Sequence, residues 1–572
     1  VQTCALPISA DLNILIGGAA GQGVHAITGP LAKTLVRQGA FVHVTQSYES
    51  RIRGGHLYNI LRVSDAPVVS CREGVNLLVA LNQETVDLHA PELSPEAIII
   101  FDADEARDLP GSHRSLALAA AALLPGESAG EIAVNAGACG AILGMLGVPA
   151  ASLMELLAAT FADKGPQVVD LNRRAVMGGF EAASRTDLKF PLEITPPAAP
   201  RLLISGHEAL ALGALAGGLN FICGYPMTPW TSLLNAVSQR AARFGVVVEQ
   251  TEDEIAAVNM AIGASYAGAP AMVGTSGGGF ALMVEGVSLA GMTETPLVIA
   301  VAQRPGPATG LPTRTEQADL QFVLYAGHGE FPRAILAPGT VEECFHLTRG
   351  AFFLAEKYQT PVFILTDQFL SDSYRAVSPF PVETLEAVRV PADAGPVSRP
   401  YRRFTITENG ISPRLLPGMG DDLVVAGSDE HTEDGHLTED LTVRKQMAEK
   451  RIKKMEGLRR ETFPPELRGD RNPDLLFVTW GSSKGSVLEA AARLRDRGRR
   501  TATLFFPQVW PLVPEQFLLS LHEARQVVSV EGNATGQLAK LIRQESGFQI
   551  PERIGRYDGL PITPEYILRE LG

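Results

Sequence analysis

Four short runs between Gly224 and Thr313 carry the side chains best suited to chemistry. They are Gly224-Tyr225-Pro226-Met227-Thr228-Pro229-Trp230, Thr251-Glu252-Asp253-Glu254, Gly274-Thr275-Ser276-Gly277-Gly278-Gly279, and the stretch from Arg304 through Gly306 and Thr309 to Thr313. Each sits where a predicted strand ends. In open α/β sheets the loops at the carboxyl ends of strands form the ligand crevice. The carboxylate of Glu254, the guanidinium of Arg304 and the hydroxyls of Thr228 and Thr313 are therefore expected to converge on one cleft. Such a set suits an anionic carbonyl substrate and a cofactor that needs a proton relay.

Each of these residues also has a plainer reading. Glu254 opens an apolar run, Ile255-Ala256-Ala257, that ends at Gly268 before Pro270. Thr251-x-x-Glu254 matches a capping box, in which the glutamate reaches back to an orphan amide. The sharper reading is a buried acid that hydrogen-bonds a cofactor ring nitrogen. Arg304 ends an apolar strand and enters a Gly/Pro loop. It is either a solvated strand-exit residue or a clamp that grips a carboxylate through parallel hydrogen bonds. Pro226 and Pro229 restrict themselves and the residues before them, which holds Thr228 stiffly. A plain turn accounts for the prolines as well.

The elements that must position these residues follow from the apolar runs. A strand at Leu12–Gly17, a glycine turn, a helix from about Gly23 to Gln38 and a strand at Phe41–Thr45 open an α/β domain, which Val75–Ala80 and Ala97–Phe101 continue. The Pro-rich segment Phe190–Pro200 reads as a linker. Strands are then predicted at Asn220–Cys223, Val246–Gln250, Ala271–Thr275, Leu297–Gln303, Arg333–Leu336 and Val362–Thr366, with helices between them. Repeated βα units imply a mostly parallel sheet covered on both faces. Residues 380–470 read as irregular apart from one charged helix near 441–459, and a last α/β unit starts at Asp474.

The chain has 572 residues, of which 45% are hydrophobic and 20% charged, fitting a soluble globular protein of roughly three or four domains. A net charge of −14 speaks against a nucleic-acid partner. The most basic stretch, Arg444–Arg460, is broken by Glu449 and Glu456 and reads as a solvated helix. Cys4, Cys71, Cys139, Cys223 and Cys344 form no C-x-x-C pair, which points to a reducing compartment and away from a cluster or zinc site within the chain. No apolar run approaches the roughly 20 residues that span a bilayer. The first ten residues read as a loose tail rather than a signal peptide. A cytoplasmic location without a membrane partner is expected.

Two further motifs invite functional readings. Gly17–Gly23 has the order G-x-x-G-x-G, and the following strand ends in Thr45-Gln46-Ser47 with no acid for a ribose. This departs from the dinucleotide fingerprint, although the turn can still bind a phosphate through helix N-terminal amides. Asp429–His436 has metal-ligand residue types, but its spacing fits no strong signature and reads better as a polar loop or lid.

Taken together, Tyr225-Pro226-Met227-Thr228-Pro229, Glu254 with its neighbours, and Arg304–Thr313 resemble the alpha subunit of 2-oxoacid:ferredoxin oxidoreductases. Leu12–Val24 with Ser47–Gly55 resembles the family's gamma domain, and Val530–Leu538 its transketolase C-terminal-like domain. The resemblance implies a multi-domain α/β protein. It would have a gamma-type α/β domain at 11–190 and a thiamine diphosphate pyrimidine-binding domain with a parallel sheet at 200–380. An irregular connecting or lid segment at 381–470 and a transketolase-C-like domain at 471–572 would follow. It also implies oxidative decarboxylation of a 2-oxoacid, foremost 2-oxoglutarate, with coenzyme A. Pyruvate, branched-chain or aryl 2-oxoacids remain alternatives within the family. A nicotinamide-dependent dehydrogenase and a non-catalytic scaffold subunit are alternatives outside it. Glu254 would match the family's activating glutamate of thiamine diphosphate, with Tyr225, Pro226 and Gly277 also against the cofactor. Thr228, Arg304 and Thr313 would hold the 2-oxoacid. The family's Gly-Asp-Gly…Asn motif and cluster cysteines are absent from this sequence. Mg²⁺ and the [4Fe–4S] cluster are therefore expected in a partner beta subunit, with ferredoxin served by the resulting hetero-oligomer.

Overall fold

The computed structural model describes residues 11–49, 55–111, 113–127, 130–388, 397 and 399–572. Cys4 and the Ser50–Gly54 part of the gamma-like motif lie outside these residues. The chain divides into two compact units. One runs to Ile204 and takes in Ser373–Pro379; the other comprises Ser205–Asp372 and Phe380–Gly572.

The first unit is built on an eight-stranded mixed sheet. Its central strand Asp11–Ala19 runs parallel to Val75–Ala80 but antiparallel to His56–Ser64, which pairs antiparallel with Phe41–Ser47. The helix Val24–Arg37 therefore does not lead into a neighbouring parallel strand, as a dinucleotide-binding βαβ unit requires. Tyr374–Val377, inside the segment assigned from sequence to 200–380, pairs instead with Phe41–Ser47 of this sheet.

The second unit holds the candidate site. Its main sheet runs in the order Gln508–Trp510, Ala334–Leu336, Pro361–Asp367, Leu297–Gln303, Ala271–Thr275, Phe221–Gly224, Val247–Gln250. All neighbours are parallel except the first pair. The strands Ala271–Thr275 and Leu297–Gln303 are buried at every position, the pattern of strands covered on both faces. A five-stranded sheet centred on Leu475–Trp480 follows. The two sheets share one apolar core, in which Phe280, Val301, Ile335 and Phe363 belong to the same cluster as Trp480, Phe506, Leu512 and Leu538. This continuity explains why the C-terminal segment is not a separate compact unit.

The charged helix Leu441–Arg460 differs from its sequence reading as a solvated element. Lys450 and Lys454, four residues apart on one face, are buried against Glu294, with Nζ–Oε distances of 2.6 and 2.5 Å. Arg403 is buried beside them and donates to the Glu294 carbonyl oxygen at 2.7 Å. In the 429–436 loop, His431 is buried and stacks on Phe404 at 3.9 Å, while Glu430 pairs with Arg444 and Arg451. These contacts tie the loop to Phe404 and to the helix Leu441–Arg460, and no cluster of metal-ligating side chains occurs among the described residues. None of the described helices is long and apolar enough to cross a membrane.

Candidate active site

Four consecutive parallel strand ends, at Gly224, Gln250, Thr275 and Gln303, deliver the predicted residues to one edge of the main sheet. Glu254 is the first residue of the helix Glu254–Tyr266 and is 3% exposed. The capping box read from Thr251 and Glu254 does not form. The N-cap is Asp253, whose carboxylate accepts from the Ala256 amide at 2.7 Å. Thr251 instead donates its hydroxyl to the Asp253 carbonyl at 2.9 Å. Glu254 is thus released from helix-capping duty and points into the core. There its Oε1 accepts from Thr275 Oγ1 at 3.3 Å.

The pocket for this carboxyl is made by a missing side chain. Gly279 lies on the first turn of the helix Gly277–Met292. A Cβ there would stand 2.2 Å from Glu254 Oε1 and 2.0 Å from Thr275 Oγ1. A carboxyl group that is 3% exposed and bonded to one hydroxyl at the ligand edge of a parallel sheet is a candidate functional acid. Beside Gly277, Asp319 Oδ2 is a buried polar atom without a hydrogen-bond partner.

Arg304 is half-buried, and its Nη1 donates to the Thr228 carbonyl oxygen at 2.7 Å, which ties the fourth run to the first. Burial holds its guanidinium pKa below the usual arginine range, with Asp319 opposing that shift. Thr228 and Thr313 are half-buried; Tyr225 stands at the rim, 41% exposed. The Asp319 carboxylate faces Gly277, where a Cβ would meet its Oδ2 at 2.5 Å. Burial raises Asp319 to about 6 against the opposing field of Arg304. Burial followed by Asp319 raises Glu316 to about 7. The structure thus links Thr228, Arg304, Asp319 and Gly277 in one set of neighbours, and Glu254, Thr275 and Gly279 in another. Met227 Sδ, 3.7 Å from Thr275 Oγ1, joins the two. Thr313 shares the Arg304 loop without a bond to Arg304.

Sequence reasoning missed Asp319, Thr275, Gly279 and the bracing role of Trp230. Trp230 is fully buried, and its ring fills the space over Gly274 and Gly224. The readable signal was two glycines at strand ends facing one large aromatic residue. Around the site, Val247, Ile255, Met260 and Leu282 are exposed by 57, 49, 41 and 50%.

Residues 212–450 match the family model described as "Pyruvate flavodoxin/ferredoxin oxidoreductase, thiamine diP-bdg", and residues 13–182 that described as "Pyruvate ferredoxin/flavodoxin oxidoreductase". The chain is 32% identical to the 2-oxoacid:ferredoxin oxidoreductase subunit alpha of Sulfolobus sp, over 96% of this chain and 95% of that protein. It is 30% identical to the 2-oxoglutarate oxidoreductase subunit KorA of Mycobacterium tuberculosis, over 84% of this chain and 78% of that protein. It superposes on the 2-oxoglutarate:ferredoxin oxidoreductase of Magnetococcus marinus, solved with 2-oxoglutarate, coenzyme A and succinyl-CoA bound. That match has a TM-score of 0.90 and 29% identity, and covers 98% of this chain and 99% of that one. A thiamine diphosphate-binding module preceded by a gamma-type module, and similarity over almost its whole length, make this chain a member of the 2-oxoacid:ferredoxin oxidoreductase alpha-subunit family.

Proposed function

We propose that the chain is the fused gamma–alpha subunit of a coenzyme A-dependent 2-oxoglutarate:ferredoxin oxidoreductase. The reaction converts a 2-oxoacid and coenzyme A to acyl-CoA and carbon dioxide, and the released electron pair passes to ferredoxin. The observation that carries this reading is the dry, uncapped Glu254 at the strand edge that also presents Arg304. When bound, thiamine diphosphate supplies the electron sink for decarboxylation. The chain's own residues supply position and protons. Glu254 Oε would exchange a proton with the pyrimidine ring nitrogen, and Gly279 keeps the space it needs. Gly277, Tyr225 and Pro226 would border the same ring. Arg304 keeps guanidinium N–H groups for the substrate carboxylate, with Thr228 and Thr313 as hydroxyl donors. Oriented donors of this kind contribute several kcal/mol to a near-attack pose.

The beta subunit is assigned the diphosphate, Mg²⁺ and the [4Fe–4S] cluster, because this sequence holds neither a Gly-Asp-Gly run nor ligand-spaced cysteines. Its docking would cover Val247, Ile255, Met260 and Leu282 and close the site to water. The choice of 2-oxoglutarate is supported by the ligands of the Magnetococcus marinus enzyme.

The test is co-expression with a matching beta chain and assay of viologen or ferredoxin reduction with coenzyme A and a panel of 2-oxoacids. The expected result is highest kcat/KM with 2-oxoglutarate. Preference for pyruvate or a branched-chain acid would overturn the substrate assignment, and no reduction with any 2-oxoacid would overturn the function. Glu254→Gln should abolish turnover while leaving the thermal midpoint nearly unchanged.

A further inference from the structure

The residues from Arg304 to Asp319 form a loop with no strand or helix of its own. Its base is closed by the Asp319 amide, which donates to Gln303 Oε1 at 2.9 Å. Its tip, Gly306–Leu311, is exposed. The returning limb is fastened to the C-terminal segment, and Gln317 is the centre of that fastening. It is 2% exposed, and all its polar groups are satisfied there. Its amide donates to Gly532 O at 2.6 Å and its carbonyl accepts from Asn533 Nδ2 at 3.1 Å. Its side-chain Nε2 donates to Trp480 O at 3.0 Å, and its Oε1 accepts from the Gly532 amide at 2.7 Å. On either side, Thr315 N donates to Gly559 O at 3.2 Å and Gln537 Nε2 to Ala318 O at 2.6 Å.

The slot is shaped for this side chain. A Cβ on Gly481 would lie 2.5 Å from Gln317 Nε2, and one on Gly532 would lie 3.0 Å from its Oε1. The Gly532–Gly536 turn that forms one wall precedes the helix Gln537–Ser546 and resembles an anion nest. Amides of the turn and of the helix start are already engaged. Glu531 accepts from Leu538 N at 2.9 Å and Ala539 N at 3.1 Å, and Asn533 Oδ1 accepts from Gly536 N at 2.8 Å. With its donors occupied from within, the turn acts as a receptor for Gln317 and not for a phosphate.

We infer that Gln317 is a positioning residue, which docks the substrate loop on the C-terminal domain and thereby fixes Arg304 and Thr313. The inference rests on the reading above that these two residues hold the 2-oxoacid. Glu254 and Thr275 lie on other elements, so the docking should govern substrate and leave the Glu254 side of the cofactor site untouched.

The test uses the full complex with Gln317→Ala and the equal-sized Gln317→Glu, which places an acceptor against the Trp480 carbonyl. In both, KM for the 2-oxoacid should rise about tenfold or more, as expected when buried hydrogen bonds are lost. The thiamine diphosphate concentration for half-activation should stay within about twofold, well under the 1.4 kcal/mol of a tenfold change. Equal shifts in both quantities, or an unchanged KM, would overturn the inference. Hydrogen exchange provides a readout independent of turnover. Amides of 304–316 should exchange about tenfold faster in Gln317→Ala while those of 221–300 do not change. Unaltered loop exchange would overturn the inference even if the complex has no 2-oxoacid activity. Absent activity in the wild type, with faster loop exchange in the variant, would count only against the functional reading.

Discussion

Replacing Gly279 by alanine tests the proposed site through a single methyl group. The new Cβ would stand 2.0 Å from Thr275 Oγ1, 2.2 Å from Glu254 Oε1 and 2.8 Å from Glu254 Cδ, whereas real Cβ atoms essentially never approach closer than 3.0 Å. Turning χ1 of Thr275 either brings its methyl to the same place or breaks its bond to Glu254 Oε1. Its backbone is fixed between the strands Phe221–Gly224 and Leu297–Gln303. The group free to move is the Glu254 carboxyl. It must retreat by about 1 Å, a misplacement that costs on the order of 100-fold in rate when the displaced group acts on the reaction. Stability should change much less. Overpacking costs about 1–3 kcal/mol, and alanine regains about 1 kcal/mol over glycine in a helix. Gly278→Ala is the control, because its Cβ would meet only the Ala308 carbonyl oxygen at 3.5 Å, an ordinary contact. The assay is kcat for viologen reduction by the complex at saturating 2-oxoacid and coenzyme A, beside thermal unfolding. Gly279→Ala should lose activity far beyond its loss of stability, and Gly278→Ala should keep both. Equal activity in the two variants would refute the placement of Glu254 at the reacting end of the site.

Two other perturbations follow from buried charge. Glu294 is the carboxylate shared by Lys450 and Lys454, so Glu294→Gln leaves both buried ammonium groups without their counter-charge. It should cost about 3–5 kcal/mol, while Lys454→Met, which leaves Glu294 paired with Lys450, should cost far less; chemical denaturation of the two variants measures the difference. Asp319, raised by burial to about 6, gains negative charge beside Arg304 as pH rises through that value. KM for the anionic 2-oxoacid should therefore increase as pH climbs through about 6, and Asp319→Asn should flatten the rise. The same shift has a stability sign: the folded chain keeps the Asp319 proton up to about pH 6, while the unfolded chain releases it near 3.8. The Asp319 contribution thus falls as pH climbs through that window, a slope that Asp319→Asn should remove.

The legible part of this molecule was the part specified by local pattern. Ala271–Thr275 and Leu297–Gln303 were readable to the residue because strands buried on both faces appear as uninterrupted apolar runs between Gly and Pro breaks. The family-level motifs were readable because they lie at those strand ends. What escaped was specified at long range. The helix Leu441–Arg460 has the composition of a solvated helix, and only the position of Glu294, 156 residues from Lys450, turns one face of it inward. The identity of the helix cap escaped in a subtler way. Thr251 and Asp253 are both good N-caps, and the choice between them decides whether Glu254 is a capping residue or a free acid. Sequence spacing favoured the box, because Thr-x-x-Glu is a complete signature. The structure selects Asp253 because the Thr251 amide is already bonded to Gly224 O, at the end of the neighbouring strand. The helix can then begin only after Thr251 has left the sheet, and the cap falls to Asp253. The register of one parallel strand against the next thus determines which carboxylate is spent on the helix and which remains for chemistry.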